Sequence, residues 1–350
     1  MYKLIEFTDE QGFNDQFVSL ARVVYANDKN HASESKREVT SWLLGAHPGA
    51  SFLHQRNLLV MQNGAPAARG IAFVNTRGDF GSVGFFECLN DSKAVGILMD
   101  GAREFCREHS VGKIYAPMNG SIWAKHRLMV KGFDDKPFLG EPYNRPYYSD
   151  LLLQNGFSVA KTWKTQLNKE LHVRGRLSDH YQKLAKSQTD KGIFVRSIED
   201  FDEDIRIIYR LVMSAFSGFF LFHTIDEQDF VDAFSGLRLI CDKRTAKIAY
   251  NSKNEPIGFG IALPDYQSKL RYVMRYAKRY IFMYAGTLQE NGRDVYPHCG
   301  KAVVVPIALD LISRKKEFVL ALMSEDASTR NILTQYDKVH EHALLELEVD

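Results

Sequence analysis

Residues 63–74 read NGAPAARGIAFV, and residues 253–264 read KNEPIGFGIALP. Pro66/Pro256, Gly70/Gly260, Ile71/Ile261 and Ala72/Ala262 match at an offset of 190. Both stretches have the pattern of strand, tight turn, strand: LLVMQ, NGAP, AARGIAFV in one place and KIAYN, SKNEP, IGFGIAL in the other. Asn63-Gly64 is a strong hairpin dipeptide, because both central turn residues of such a loop need positive φ; Asn254 and Pro256 give a weaker turn signal.

Working outward, the remaining elements recur in the same order. YKLIEF (2–7) is echoed by IFVRSI (193–198), and each is followed by an apolar-periodic helix, near 17–25 and near 207–216. A second helix follows in each half, near 36–44 and 227–234, and then the hairpin. Next come a single apolar strand (VGFFECL, 83–89; IFMYAGTL, 281–288), a long helix (92–109; 300–315) and a further strand (KIYAPM, 113–118; EFVLALM, 317–323). The expectation is an α+β fold used twice, each copy a mostly antiparallel mixed sheet flanked by helices. Residues 1–165 form the first domain, the polar, basic stretch 166–192 a linker or helix, and 193–350 the second domain. The competing reading makes 166–192 a helix between two sheets of one domain.

Composition bounds the function classes. The 350 residues are 45% hydrophobic and 25% charged, which suits two packed domains rather than a disordered chain. Lys+Arg 45 against Asp+Glu 43 leaves a net charge of +2, so any nucleic-acid role needs a local patch. Cys88, Cys106, Cys241 and Cys299 are scattered without a C-x-x-C, as expected of reduced thiols in a cytoplasmic protein. The apolar run 211–222 is too short to span a bilayer, so no membrane partner is expected. No G-x-x-x-x-G-K-[ST], no G-x-G-x-x-G after a strand and no G-x-S-x-G occurs, which removes the motif support for nucleotide hydrolysis, Rossmann redox chemistry and α/β-hydrolase chemistry. His340 and His342 are a close pair without further ligands nearby in sequence, so no metal site is expected.

The element order resembles that of GNAT-type N-acyltransferases, here in tandem. VGFFECLND, the following amphipathic helix, KIYAPMNGS, GFDDKP and PYNRPYYSDLLLQNGF, over roughly 80–160, are similar to a group of uncharacterised tandem GNAT-like proteins, with PYN-x-PYY the most specific piece. The resemblance implies an acyl-CoA or acetyl-CoA donor, an amine acceptor on a small molecule and a pyrophosphate site at the start of the helix after the fourth strand. A helix start rich in small residues suits that task, since its first amides are unpaired and its dipole favours anions. In the second half the matching residues are Cys299, Gly300, Lys301 and Ala302, although Pro297 stands where the family has Gln or Arg. In the first half Asp91 stands there as an N-cap, and its carboxylate would repel pyrophosphate. The alternative for the second-half stretch is an ordinary helix start.

The same resemblance implies a base near the fourth strand and a tyrosine acid beyond the next helix. The candidates are Glu290 as base and Tyr336 as acid, with Tyr284 a further possibility; Glu87 is the first-half counterpart, either buried with a raised pKa or solvated. Tyr143, Asn144, Tyr147 and Tyr148 of PYNRPYY, together with Asn119, are candidate substrate-binding residues, the alternative being a stiff connection that closes the sheet. Residues 269–280, KLRYVMRYAKRY, form on a helix one aromatic and one cationic stripe, suited to CoA phosphates, an acyl carrier protein or a tRNA. A solvated helix packing its tyrosines inward explains the same run. The leading function is N-acyl transfer from a CoA-like thioester, on CoA or a carrier protein, to an amine. Aminoacyl-tRNA-dependent transfer and a non-catalytic GNAT-like scaffold for a metabolite or carrier protein are the alternatives.

Overall fold

The computed structural model describes residues 1–169, 182–183, 186–187, 191–266, 276–324 and 336–349. The chain divides into two compact units, Met1–Trp163 with His340–Asp350, and Lys164–Val339. The expected second domain ran to residue 350; the terminal residues from His340 instead belong with the first unit. Most of the expected 166–192 linker lies outside the described residues, and its first residues still belong to a strand that runs to Asn168.

In the first unit, β1 (Tyr2–Phe7) leads into α1 (Gln11–Val24) and α2 (Lys36–Leu43). Ser35 caps α2 by accepting from the Glu38 amide. The meander β2 (Leu53–Gln62), β3 (Ala65–Asn75) and β4 (Phe80–Cys88) follows. Its first turn places Asn63 at φ 51° and Gly64 at φ 87°, the double positive φ that the Asn-Gly dipeptide announces. Helix α3 (Ser92–Glu108), strands β5 (Lys113–Ala116) and β6 (Leu128–Lys131), helix α4 (Tyr148–Gln154) and the part of β7 (Ser158–Asn168) up to Trp163 complete it. The sheet order is β1-β2-β3-β4-β5 followed by the C-terminal strand Lys338–Glu348. β4 and β5 are parallel, paired at Gly81↔Ile114 and Ser82↔Tyr115.

Alternation along β3 explains the two-sided core. Ala72 and Val74 join Leu98, Met99 and Phe105 of α3 in one apolar cluster. Ile71 and Phe73 point the other way, to Phe17 of α1 and Trp42 of α2.

The second unit repeats the plan with β8 (Phe194–Ser197), α5 (Phe201–Ala215), α6 (Glu227–Phe234), the short α7 (Leu237–Ile240), β9 (Ala246–Tyr250), β10 (Pro256–Pro264) and β11 (Arg279–Thr287). A small hairpin, β12 (Gln289–Glu290) and β13 (Arg293–Asp294), precedes α8 (Cys299–Ser313) and β14 (Glu317–Ser324). The sheet order is β14-β11-β10-β9-β8, with β11–β14 parallel over Arg279↔Glu317 to Phe282↔Leu320. Val303, Ile307 and Leu311 of α8 pack on Ala262, Phe282 and Phe318. Residues 269–275 of the expected aromatic–cationic helix lie outside the described residues. Its expected end is corrected, because Arg279 and Tyr280 open strand β11 instead. The apolar run that follows pairs with β10 and β14, and that pairing overrides the helical spacing.

Candidate functional site

The repeat can be laid over itself by strand register. In the first unit Ala68 faces Cys88 and Arg69 faces Glu87, after which the pairing slips before Ile71↔Gly84. In the second, Gly258 faces Thr287 and Phe259 faces Gly286, with a slip between Ile261 and Ala262. Both centre strands therefore carry a bulge, slightly further along β10 in the second unit than along β3 in the first, and Phe85 within the first has φ 50°. The pair Arg69/Glu87 in one unit corresponds to Phe259/Gly286 in the other.

In the first unit the bulge carries an ionisable cluster. Glu87 is 8% exposed, and the Tyr148 hydroxyl donates to its Oε2 at 2.5 Å. Burial lifts its carboxyl to about 7, despite the opposing charge of Arg69 and the Tyr148 hydrogen bond. The Cys88 amide donates to the Tyr148 oxygen at 3.0 Å, and Tyr147 donates to the Cys88 carbonyl at 2.9 Å. The loop 142–148 thus clamps the end of β4 through two adjacent tyrosines. Burial and the Glu87 charge push the Tyr148 hydroxyl far above its usual range, and burial lifts Tyr147 to about 12. Both stay neutral donors at pH 7.

Besides Tyr148, the groups around Glu87 come from β3 and from the stretch between α1 and α2. Arg69, 1% exposed, donates to the Phe17 carbonyl at 2.7 Å and to Glu34 at 2.8 Å, with its guanidinium 4.6 Å from the Phe17 ring centre. Tyr25 stacks on His31 at 3.7 Å. Tyr143 and Arg145 both donate to Asp28, and these bonds with the Asn30 amide outweigh burial and hold that carboxyl low. Glu34 takes a hydrogen bond from the guanidinium that Glu87 faces, and its charge adds to the burial that raises Glu87. Asp28, His31, Glu34 and Arg69 were not singled out from sequence. The available signal was Arg69 itself, a lone charge inside the apolar strand AARGIAFV.

Two expected substrate ligands have their amides taken up by the fold. Asn144 accepts from the Met129 amide at 2.7 Å and donates to the Met129 carbonyl at 3.2 Å, bracketing β6. Asn119 accepts from the Phe85 amide at 2.9 Å and fills the space beside β4. A Cβ on Gly84 would meet the Asn119 Cα at 2.6 Å and the Met118 carbonyl at 2.7 Å, so glycine is what lets the strands close there. The α3 start is also taken: Asp91 accepts from Lys93 and Ala94 at 3.1 Å each. A carboxylate occupies the position an anion would need.

The second unit has the opposite arrangement. The β11–β14 ladder stops after Phe282↔Leu320, and α8 begins at Cys299 behind His298, whose side chain makes no cap. The Cys299 amide turns back to Tyr296 and that of Ala302 to His298, while the intervening Gly300 and Lys301 amides lie in the first turn, where a helix supplies no acceptor. A Cβ on Gly300 would meet only the Thr287 methyl, at 3.9 Å. Cys299 itself is buried and its thiol pushed up to about 12 by burial, so it packs rather than reacts. Asp294 sits nearby, with Thr287 and Gln289 donating to it at 2.5 and 2.6 Å. Position 286 has no room for a carboxylate, since a Cβ there would lie 2.8 Å from both Phe259 and Ala215. Of the expected proton-transfer groups, Tyr284 lies at the bulge with its ring 5.8 Å from that of Phe234. Glu290 is exposed on β12, and Tyr336 is 48% exposed just after the undescribed residues 325–335. Among the described residues no group of His, Cys, Asp and Glu could hold a metal, and no helix is long and apolar enough to cross a membrane.

No family model matches the chain. Protein YghO of Escherichia coli (strain K12) is 21% identical over an alignment spanning 71% of this chain and 65% of that protein, so this chain spans less than two thirds of its length. Among solved structures, a tandem GNAT protein from the clavulanic acid biosynthesis pathway superposes with TM-score 0.57 at 11% identity, covering 100% of this chain and 99% of that one. A GCN5-related N-acetyltransferase from Sphaerobacter thermophilus gives 0.51 at 14% identity, covering 99% and 96%. A probable N-acyltransferase from Enterococcus faecalis V583 gives 0.55 at 10% identity, covering 100% and 73%.

Proposed function

We propose, from a fold shared with tandem GNAT proteins over the whole chain, that this protein is an N-acyltransferase whose acyl-CoA donor binds in the second unit alone. The observation that carries the reading is the contrast between the two helix starts. The α8 start offers the Gly300 and Lys301 amides beside small residues, whereas Asp91 fills the α3 start. Cys299, Gly300, Lys301 and Ala302 would hold the donor pyrophosphate, with the Lys301 ammonium adding charge. The thioester arm would run along β11, where its ladder to β14 has ended.

In the reaction an amine nitrogen attacks the thioester carbon, the C–S bond breaks and the CoA thiolate leaves. Two protons must leave the nitrogen, one from the ammonium before attack and one from the adduct, and one must reach the thiolate. Tyr284, at the bulge, is assigned to the thiolate, and Glu290 to the ammonium by way of solvent; Tyr336 is the second choice of acid. The acceptor is a small-molecule amine. Glu87, with its carboxyl at about 7 inside the first unit, belongs to that unit's own network and takes no part in the donor step.

Incubation with acetyl-CoA and a panel of amines should release free thiol, and Gly300→Asp should abolish release by placing a carboxylate in the cradle. Thiol release at the wild-type rate in that variant removes the α8 start from the mechanism.

A further inference from the structure

The loop after α5 differs in kind from its first-unit counterpart. Residues 25–35, YANDKNHASES, carry Asp28, Lys29 and Glu34, whereas residues 216–223, FSGFFLFH, carry no Asp, Glu, Lys or Arg at all. Phe219 is 57% exposed and stacked on Phe216 with ring centres 4.7 Å apart. Phe220, Leu221, Phe222 and Phe234 are only half-buried. A run of apolar side chains left this open is unusual in a water-facing loop and marks a ligand surface.

Its position says which ligand. The Ser214 hydroxyl, at the end of α5, donates to the Gln289 carbonyl and accepts from the Gln289 amide, both at 3.0 Å. The next residue, Ala215, abuts Gly286, and Phe216 packs on Phe259, which faces Gly286 across the ladder. Phe234 meets Tyr284 at the bulge. The aromatic loop is therefore pinned to the end of β11 that leads into the α8 cradle. A chain attached to a thioester beside that bulge would meet Phe216, Phe219 and Phe234.

We infer that the donor carries a medium or long hydrocarbon acyl chain, seated on the aromatic loop 216–222 and Phe234. This rests on the donor site proposed above and adds its substrate class. The hydrocarbon belongs to the donor and not to the amine, because the loop is anchored through Gln289 to the donor's own turn.

The test is calorimetry on the full chain with CoA, acetyl-CoA and octanoyl-CoA. Burying about half of the six extra methylenes is worth roughly fiftyfold in affinity, so octanoyl-CoA should bind about fiftyfold tighter than acetyl-CoA. Phe219→Ser, at an exposed position that folding does not need, should lose about tenfold for octanoyl-CoA and nothing for CoA. Equal affinity of acetyl- and octanoyl-CoA overturns the inference and leaves the donor site standing. Absence of binding by all three overturns both. Turnover of acetyl-CoA that improves with octylamine over ethylamine, while octanoyl-CoA shows no gain, moves the hydrocarbon to the acceptor and also overturns it.

Discussion

Replacing Glu87 by Gln tests the first-unit cluster through its protons. A glutamate carboxyl ordinarily titrates near 4.5, and burial lifts this one to about 7. The folded first unit therefore holds a proton that the unfolded chain has released throughout the interval from 4.5 to 7. A group with a raised folded pKa contributes stability below the unfolded value and loses it as pH climbs through the folded one. Each pH unit in that interval costs about 1.4 kcal/mol, so the wild type should lose about 2.5 kcal/mol from this group between pH 5 and pH 8. The amide cannot titrate, and its oxygen can still accept from Tyr148. The variant should thus gain about 2.5 kcal/mol relative to wild type over the same range. Trp42, Trp123 and Trp163 are the chain's three tryptophans and all lie in the first unit, so their fluorescence in urea reports that unit's unfolding. Stability profiles that run parallel from pH 5 to pH 8 would refute the buried, protonated Glu87.

Further perturbations separate the parts of the account. Asp91→Ala removes the α3 cap and should destabilise the first unit by about 1 kcal/mol in urea titrations, with donor affinity unchanged. Asp294→Asn removes a negative charge beside the α8 cradle; acyl-CoA should bind about threefold to fivefold tighter by calorimetry, less so in high salt. His342 is fully buried with its Nε2 3.5 Å from Glu141 Oε1, and burial with the neighbouring charges of Arg127 and His340 lowers it to about 3. Its lowered folded value means stability is lost as pH falls below about 6.5, where the unfolded imidazole takes a proton. His342→Leu should therefore spare about 2 kcal/mol of the first unit's loss between pH 6.5 and 5.

Much of the fold was legible because it is written twice. The Asn63-Gly64 turn, the Asp91 cap and the alternation of β3 are local signals, and each produced the element it announces. The placing of Glu87 as a buried, raised carboxyl was one of two alternatives, and its companions were not legible. Glu34, Arg69 and Tyr25 are distant in sequence and meet only through strand pairing and a loop whose composition looks solvated. The Asn144 contacts were hidden for a related reason: nothing in an aromatic, polar loop announces that its amide brackets Met129. The end of the 269–280 run misled because its tyrosines at spacing four mimic a helix face, while Arg279 and Tyr280 are drawn into a ladder with Glu317 and Phe318. Local period yields to tertiary pairing where a strand has a partner waiting.

The division of labour between the two units is tested most directly by the stoichiometry of acyl-CoA binding. Calorimetry on the wild type should give one site per chain, and Gly300→Asp should remove it while Asp91→Ala leaves it intact. Two sites per chain, or one site that survives Gly300→Asp, would contradict the account.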